Sequence, residues 1–293
     1  MVNVLLKGRI GNNLFQIAAG VSLAKRNNTD VCFYTGSYYA PFPDNCSLYD
    51  YLQQFKSNIL RNVTIKPGMP DFEDHYEEEQ YAYTEIPYKD NSLVEGFFQS
   101  ERYFEKETVR QIFDIDDDSK AYITQKYGHL LKNGITSINV RRGDYFKELD
   151  NHCITSMSFF KKAIKRIGKD KNYLLISDDI AWCKKMFRGK NFFFVEGEKP
   201  IFDLYIQTQC TNNIISNSSF SWWAAWLNNN PDKIVICPNP WYGVAKQHYD
   251  TSDLIPPEWI QLKNRMPLHL TILGYSIWWR RRLNYFFKSK LGK

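Results

Sequence analysis

At 293 residues the chain is long enough for one large or two ordinary domains, and its 43% hydrophobic and 24% charged content excludes wholesale disorder. Lys and Arg number 38 against 32 Asp and Glu, a net +6, but Arg265–Lys293 alone carries seven bases and no acid, so residues 1–264 net −1 (+6 less 7). A near-neutral body with a basic tail argues against a nucleic-acid binder, whose basic residues cover a face of the fold itself.

The chain opens with an apolar strand at Val2–Leu6, a turn containing Gly8 and Gly11, and a helix with Leu14, Ile17, Ala18, Val21 and Leu23 on its apolar side. A second strand is predicted at Val31–Tyr34. From there to about residue 90 the Pro-, Asn-, Asp- and Tyr-rich sequence reads as loop, and the six acids between Asp71 and Glu79 read as its solvated part. Asp114, Asp116, Asp117 and Asp118 lack the glycine of a calcium loop and read as a helix start.

From residue 134 the pattern becomes regular. Runs rich in β-branched and aromatic residues at Thr136–Val140, Tyr173–Ile176, Asn191–Val195, Asn213–Ser216 and Lys233–Cys237 alternate with helical segments at Ser156–Ile167, Asp179–Phe187, Ile201–Thr208 and Ser221–Asn228. Strand alternating with helix implies a parallel, doubly wound α/β sheet. The expected organisation is an N-terminal lobe over 1–133, a second lobe over 134–264 and a basic tail over 265–293.

Such a sheet presents its ligand site beyond the carboxyl ends of its strands. The residues there are Arg141-Arg142-Gly143-Asp144-Tyr145, Ser177-Asp178-Asp179, Glu196-Gly197-Glu198, Asn217-Ser218-Ser219-Phe220-Ser221 and Pro238-Asn239-Pro240-Trp241. Paired arginines suit a diphosphate, and hydroxyls opening a helix add N–H groups where an anion is favoured. The alternative is that Arg141 and Arg142 pair with local acids such as Asp144. Asp178 and Asp179 could bind a metal, a ribose or a base, or cap the next helix. Neither a Walker A sequence nor GxGxxG is present.

Five segments together resemble glycosyltransferase family 11, the family of the α-1,2-fucosyltransferases. They are Gly8–Gln16 (GRIGNNLFQ), Glu95–Phe104 (EGFFQSERYF), Val140–Tyr145 (VRRGDY), Ile176–Asp179 (ISDD) and Asn217–Leu227 (NSSFSWWAAWL), in the family's order, and the likeness runs to about residue 262. The resemblance implies a GT-B-like fold of two Rossmann-like lobes, GDP-β-L-fucose as donor, no metal or other cofactor, and inverting transfer to a galactose 2-hydroxyl in a glycan. It implies that Arg141 holds the β-phosphate, supported by Arg142 and Asp144, and that Ser218, Ser219 and Ser221 complete the cradle, with Asp178 and Asp203 toward the guanosine. The Gly8–Asn13 turn, with Arg9 and Gly11, would close over the donor, and Asn12 would lie near the reacting sugar. Phe98, Gln99 and Glu101 become acceptor-side candidates. Where the family often has His two residues before the first arginine, this chain has Asn139, which still hydrogen-bonds but cannot become a cation.

Glu148, Asp150 and His152 follow the arginine loop as candidate general bases, with Glu148 and Asp150 ranked first and His152 also an acceptor-side candidate; Asp144 lies closer still, either as a base or only bracing the loop. Trp222, Trp223 and Trp226 lie at helical spacing and read as core, whereas Trp241 and Tyr242 read as a sugar platform. Six cysteines without zinc spacing, and an opening too weakly apolar for a signal peptide, fit reduced thiols in a cytoplasmic protein. In the tail, Leu268, Ile272, Tyr275, Trp279, Leu283 and Phe286 recur at helical steps among Arg280, Arg281, Arg282, Lys288 and Lys290. Such a helix either lies on the inner face of the membrane, where an acceptor would be lipid-linked, or packs back on the fold. The alternatives to α-1,2 transfer are another fucosyl linkage, α-1,6 or O-linked, and a non-catalytic nucleotide- or glycan-binding module.

Overall fold

Two all-parallel sheets organise the chain, each in its own compact unit. The computed structural model describes residues 1–37, 42 and 45–291, the last four as backbone only. The first unit comprises residues 1–127, 200–205 and 249–257, and the second 128–199, 206–248 and 258–293. Both are Rossmann-like, in keeping with the GT-B-like class that the family resemblance implies.

In the first unit the strands β1 (Val2–Leu5), β2 (Val31–Tyr34), β3 (Ile65–Lys66), β4 (Asp74–Glu77) and β5 (Ser92–Glu95) lie in the order β3-β2-β1-β5-β4. Helix α1 (Ile10–Arg26) crosses between β1 and β2 and is buried almost all round, which explains its many Ala, Gly and Leu. Helices α2 (Leu48–Gln53) and α3 (Lys106–Ile112) belong to this unit, as does α4 (Asp117–Leu131) up to Tyr127, and Asp116 opens α4 by accepting the Ser119 N–H at 2.8 Å.

The acidic stretch read as loop is in part the edge strand β4. It pairs with β5 from Asp74↔Ser92 to Glu77↔Glu95, with Asp74 and Tyr76 half-buried and His75 and Glu77 exposed. Its acids are tolerated because an edge strand faces water on one side.

The second unit holds β6 (Ile135–Val140), β7 (Asn172–Ser177), β8 (Phe192–Phe194), β9 (Asn212–Ile214), β10 (Val235–Asn239) and β11 (Ile260–Lys263), in the order β11-β10-β9-β6-β7-β8. Around them run α5 (Met157–Ile167), α6 (Ile180–Met186), α8 (Ser219–Trp226) and α9 (Leu268–Leu291), while α7 (Pro200–Thr208) is divided, residues 200–205 belonging to the first unit and 206–208 to the second. β6 is buried along its whole length. Its polar residues are matched across the ladder to β9: Asn213 Nδ2 donates to Ser137 Oγ at 2.8 Å and the Ser216 hydroxyl to Asn139 Oδ1 at 2.9 Å. That row satisfies polar groups that would be costly unpaired at this depth. Trp222 and Trp223 of α8 are fully buried, with Trp226 nearly so, as their spacing predicts.

Candidate active site

A parallel sheet opens a crevice where its strand order reverses. In the second unit the chain runs from β6 outward to β7 and β8, then returns to β9, β10 and β11, so the reversal lies between β6 and β9. The loops after β6, β7 and β9 adjoin there. They carry Arg141–Tyr145, Asp178–Asp179 and Ser216–Ser221.

Arg141 sits between two carboxylates. Its Nη2 lies 2.7 Å from Asp144 Oδ2, its Nε 3.2 Å from Asp178 Oδ2, and 25% of its side chain remains exposed. Burial pulls the guanidinium pKa down, but the two acids more than offset it and the cation is held above its ordinary value. Asp178 also accepts the Arg142 N–H at 2.9 Å, and a Cβ at Gly143 would stand 2.8 Å from its Oδ2. Asp178, one of the two aspartates considered for guanosine, therefore braces the arginine loop.

Arg142 stacks on Trp182, its guanidinium carbon 3.8 Å from the ring centre, and pairs with Asp179 at 3.3 Å. Asp179 also caps α6 by accepting the Trp182 N–H at 3.1 Å. Tyr145, buried beneath Arg141, donates its hydroxyl to the Asn217 carbonyl at 2.8 Å and so ties the arginine loop to the approach to α8. At α8 the N-cap Ser218 makes no side-chain cap and no acid lies in the first turn. An anion would be favoured at the positive end of that helix.

Four expectations change. Ser221 cannot join a phosphate cradle, because it is fully buried and its hydroxyl is turned to the Ser216 and Ser218 carbonyls, 3.1 and 3.0 Å away. Glu148 and Asp150 are poor bases: both are held by Arg281 of α9, which lowers the Glu148 pKa, and Asp150 is 2% exposed. His152 stacks on Tyr145 with 4.1 Å between ring centres, and burial, helped by Lys246, pushes its pKa down to about 4. Trp241 and Tyr242 are 7% and 8% exposed, drawn in by the Asn217 amide on the Trp241 carbonyl at 2.7 Å, so neither offers a ring face to a sugar.

The first unit has its own reversal, between β1 and β5. Gly8 adopts φ +83°, and a Cβ there would meet Asn12 Nδ2 at 2.5 Å, so only glycine lets Asn12 fold over the turn. Asn12 Oδ1 accepts from Gln99 Nε2 at 2.9 Å, bringing two candidates together. Arg9 is the N-cap of α1 and Gly11 lies inside its first turn rather than in the loop. Phe98 is fully buried, edge-on to Tyr103, and cannot touch an acceptor. Glu101 pairs with Lys106 at 3.0 Å. Asp203 lies in the first turn of α7, in a segment of the first unit, whereas Asp178 belongs to the second.

Two features escape sequence reasoning. Glu78, desolvated and raised in pKa, accepts the Phe97 and Phe98 N–H groups at 2.6 and 3.1 Å and shapes the loop that carries Gln99. The pairing of Arg281 is the other: the sequence places it in the tail, but its partners Glu148 and Asp150 lie 133 and 131 residues away. Among the described residues no cluster of three or more His, Cys, Asp or Glu is arranged to hold a metal ion.

The model of glycosyl transferase family 11 matches residues 1–263. The chain is 28% identical to an alpha-1,2-colitosyltransferase of Escherichia coli, over 88% of this chain and 97% of that one. It is 26% identical to the O-antigen biosynthesis glycosyltransferase WbnK of Escherichia coli, over 88% and 99%. A galactoside 2-alpha-L-fucosyltransferase, Sec1 of Mus musculus, is 23% identical over 89% and 73%. The solved fucosyltransferase NodZ from Bradyrhizobium gives a TM-score of 0.47 at 14% identity, over 76% of this chain and 91% of that one.

Proposed function

The chain belongs to glycosyl transferase family 11, and from that premise we propose that it transfers L-fucose from GDP-β-L-fucose, with inversion, to the 2-hydroxyl of a galactose in a glycan. The observation that carries this reading is Arg141, a partly exposed guanidinium at the second unit's strand reversal, tied through Tyr145 to the approach to the uncapped N-terminus of α8. A diphosphate there meets a cation and a set of backbone N–H groups.

In the reaction the acceptor hydroxyl oxygen attacks C1 of fucose and gives its proton to the solvent, the bond from C1 to the diphosphate oxygen breaks, and the electron pair departs with GDP. Arg141 stabilises that growing charge, and one positioned donor of this kind contributes about 10²–10³ in rate. A fixed cation does this without a metal, so transfer proceeds in EDTA. Asp144 and Asp178 hold the guanidinium in place, and Ser218 and Ser219 border the anion site. Arg9 and Asn12 at the start of α1, with Gln99 and Glu101 from the segment after β5, bind the sugar in the first unit. The acceptor is a lipid-carried, galactose-terminated glycan of a bacterial surface polysaccharide, met at the cytoplasmic face of the membrane.

A second reading keeps the α-1,2 linkage and changes the donor. The Escherichia coli relative at 28% identity is a colitosyltransferase, and colitose is fucose without its 3-hydroxyl, so the two donors differ by one hydrogen-bonding group. The test is release of GDP from GDP-fucose and from GDP-colitose, each with and without a β-galactoside, in EDTA. Acceptor-dependent release from GDP-fucose supports the first reading, release from GDP-colitose alone supports the second, and release that needs added metal overturns the role given to Arg141.

A further inference from the structure

Helix α9 answers both readings of the tail, because its two faces do different things. One face docks. Leu270 and Ile277, with Met266 before the helix, pack on Tyr145, Leu149 and Ile154, and Arg281 reaches Glu148 and Asp150. Gly274 makes the closest approach, since a Cβ there would stand 2.9 Å from the Leu149 carbonyl oxygen. Leu270, Gly274, Ile277 and Arg281 recur at four- and three-residue steps, which is one stripe of a helix.

The opposite stripe is Leu268, Ile272, Tyr275, Trp279, Leu283 and Phe286. All six are between 43% and 74% exposed, although each is large and apolar or aromatic. Single exposed apolar side chains need no explanation, but a continuous row along a 24-residue helix marks an interaction surface. Arg280 and Arg282 are exposed beside the row, and the segment from residue 265 to 293 has seven bases and no acid. The side chains of Lys288 and Lys290 lie outside the described residues.

We propose that α9 is an interfacial helix whose exposed stripe enters an anionic phospholipid surface. The charge pattern selects this occupant. A second copy seated on the stripe would bring two basic, acid-free helices together, whereas acidic headgroups neutralise them. Apolar side chains enter the acyl boundary, and Tyr275 and Trp279 suit the headgroup level because their rings are amphipathic. The docked face keeps the helix in the plane of the surface, and its Arg281 ties the surface-bound element to the segment that begins at Arg141. The proposal rests on the membrane reading above for its purpose, but its test does not depend on transfer.

The test is co-sedimentation of the full chain with vesicles of phosphatidylcholine alone and of equimolar phosphatidylcholine and phosphatidylglycerol, at low and high salt, with Trp fluorescence as a second readout. Binding is expected only to the anionic vesicles, weaker in high salt, with a blue-shifted emission. The double variant Trp279→Glu, Leu283→Glu, whose side chains are already solvent-facing, should fold as the parent, bind vesicles at least about tenfold more weakly and keep its rate on a soluble galactoside. Undiminished binding by the variant, no binding by the parent, or a concentration-dependent dimer that the variant abolishes would each overturn the proposal. A chain that binds vesicles yet transfers no sugar would overturn the proposed reaction instead.

Discussion

Arg281 holds Glu148 in a two-pronged pair, Nη1 to Oε2 at 3.0 Å and Nη2 to Oε1 at 3.1 Å, while the same Nη1 stands 3.1 Å from Asp150 Oδ2. One guanidinium thus fastens the terminal helix to the segment that leaves the arginine loop. In Arg281→Ala the nearly buried Asp150 loses its cation, and we expect a loss of about 1–3 kcal/mol. The direction with pH follows from Glu148, whose pKa Arg281 lowers. Stability from that pair is complete above the ordinary carboxylate pKa, about 4.3, and fades as pH falls through the folded value. Thermal melts of parent and variant should therefore converge in acid; a gap independent of pH would count against the pairing.

His152 gives a second acid-sensitive contribution with a different window. Its folded pKa is about 4, pushed down first by burial and then by Lys246, against about 6.5 unfolded. The unfolded chain binds the proton first as pH drops, so stability falls between about pH 6.5 and 4, by up to roughly 3 kcal/mol. His152→Gln should flatten that part of the stability curve. Activity between pH 6 and 8 should show no step from this imidazole, which is neutral throughout.

The second unit was legible because its strands are central and buried, so they read as short apolar runs broken by helices. Their predicted positions match β6 to β10 within a few residues. β4 was hidden, because pairing with β5, rather than local hydrophobicity, makes Asp74–Glu77 a strand. The arginine loop and the Gly8–Asn12 turn stood out as motifs, yet the direction of each polar group did not. Ser221 looks like its neighbours in sequence but is turned inward by helix geometry, and Trp241 looks like a platform until the Asn217 amide draws its backbone in. Pairs such as Arg281 and Glu148 leave no local trace.

The inward turn of Ser221 separates it experimentally from Ser218. Ser221→Ala removes a buried donor from two carbonyls and should cost about 1 kcal/mol in stability with little change in the KM for the donor. Ser218→Ala, at the helix opening, loses its side-chain hydrogen bond with Tyr145 and should cost a comparable amount of stability, but should also raise that KM several-fold. Melting temperature and donor kinetics on the two variants settle the assignment, and a reversed pattern would return Ser221 to the cradle.

Gly8→Ala tests the turn of the first unit. The backbone there is left-handed, at φ +83°, and the new methyl would drive into the Asn12 amide. Strain of about 1–3 kcal/mol is expected. Asn12 would also lose its place against Gln99, so activity should fall further than stability alone explains. Asn12→Ala and Gln99→Ala, combined in a double-mutant cycle, should show coupling in kcat/KM; additive effects would mean that the 2.9 Å contact does not matter to the reaction.

Arg141 is the sharpest test. Arg141→Lys keeps a charge but cannot reach Asp144 and Asp178 together while presenting a planar fork to a diphosphate. If the guanidinium stabilises the leaving group, kcat should fall by about 10²–10³ in both Arg141→Lys and Arg141→Ala, with a smaller change in GDP affinity, because α8 still offers its N–H groups. If the residue only neutralises Asp144 and Asp178, Arg141→Lys should retain most of the rate, and the triple variant Arg141→Ala, Asp144→Asn, Asp178→Asn should recover activity that Arg141→Ala loses. Stopped-assay kinetics on these variants, beside calorimetric binding of GDP, decide between a cation that acts on the diphosphate and one that only holds the loop.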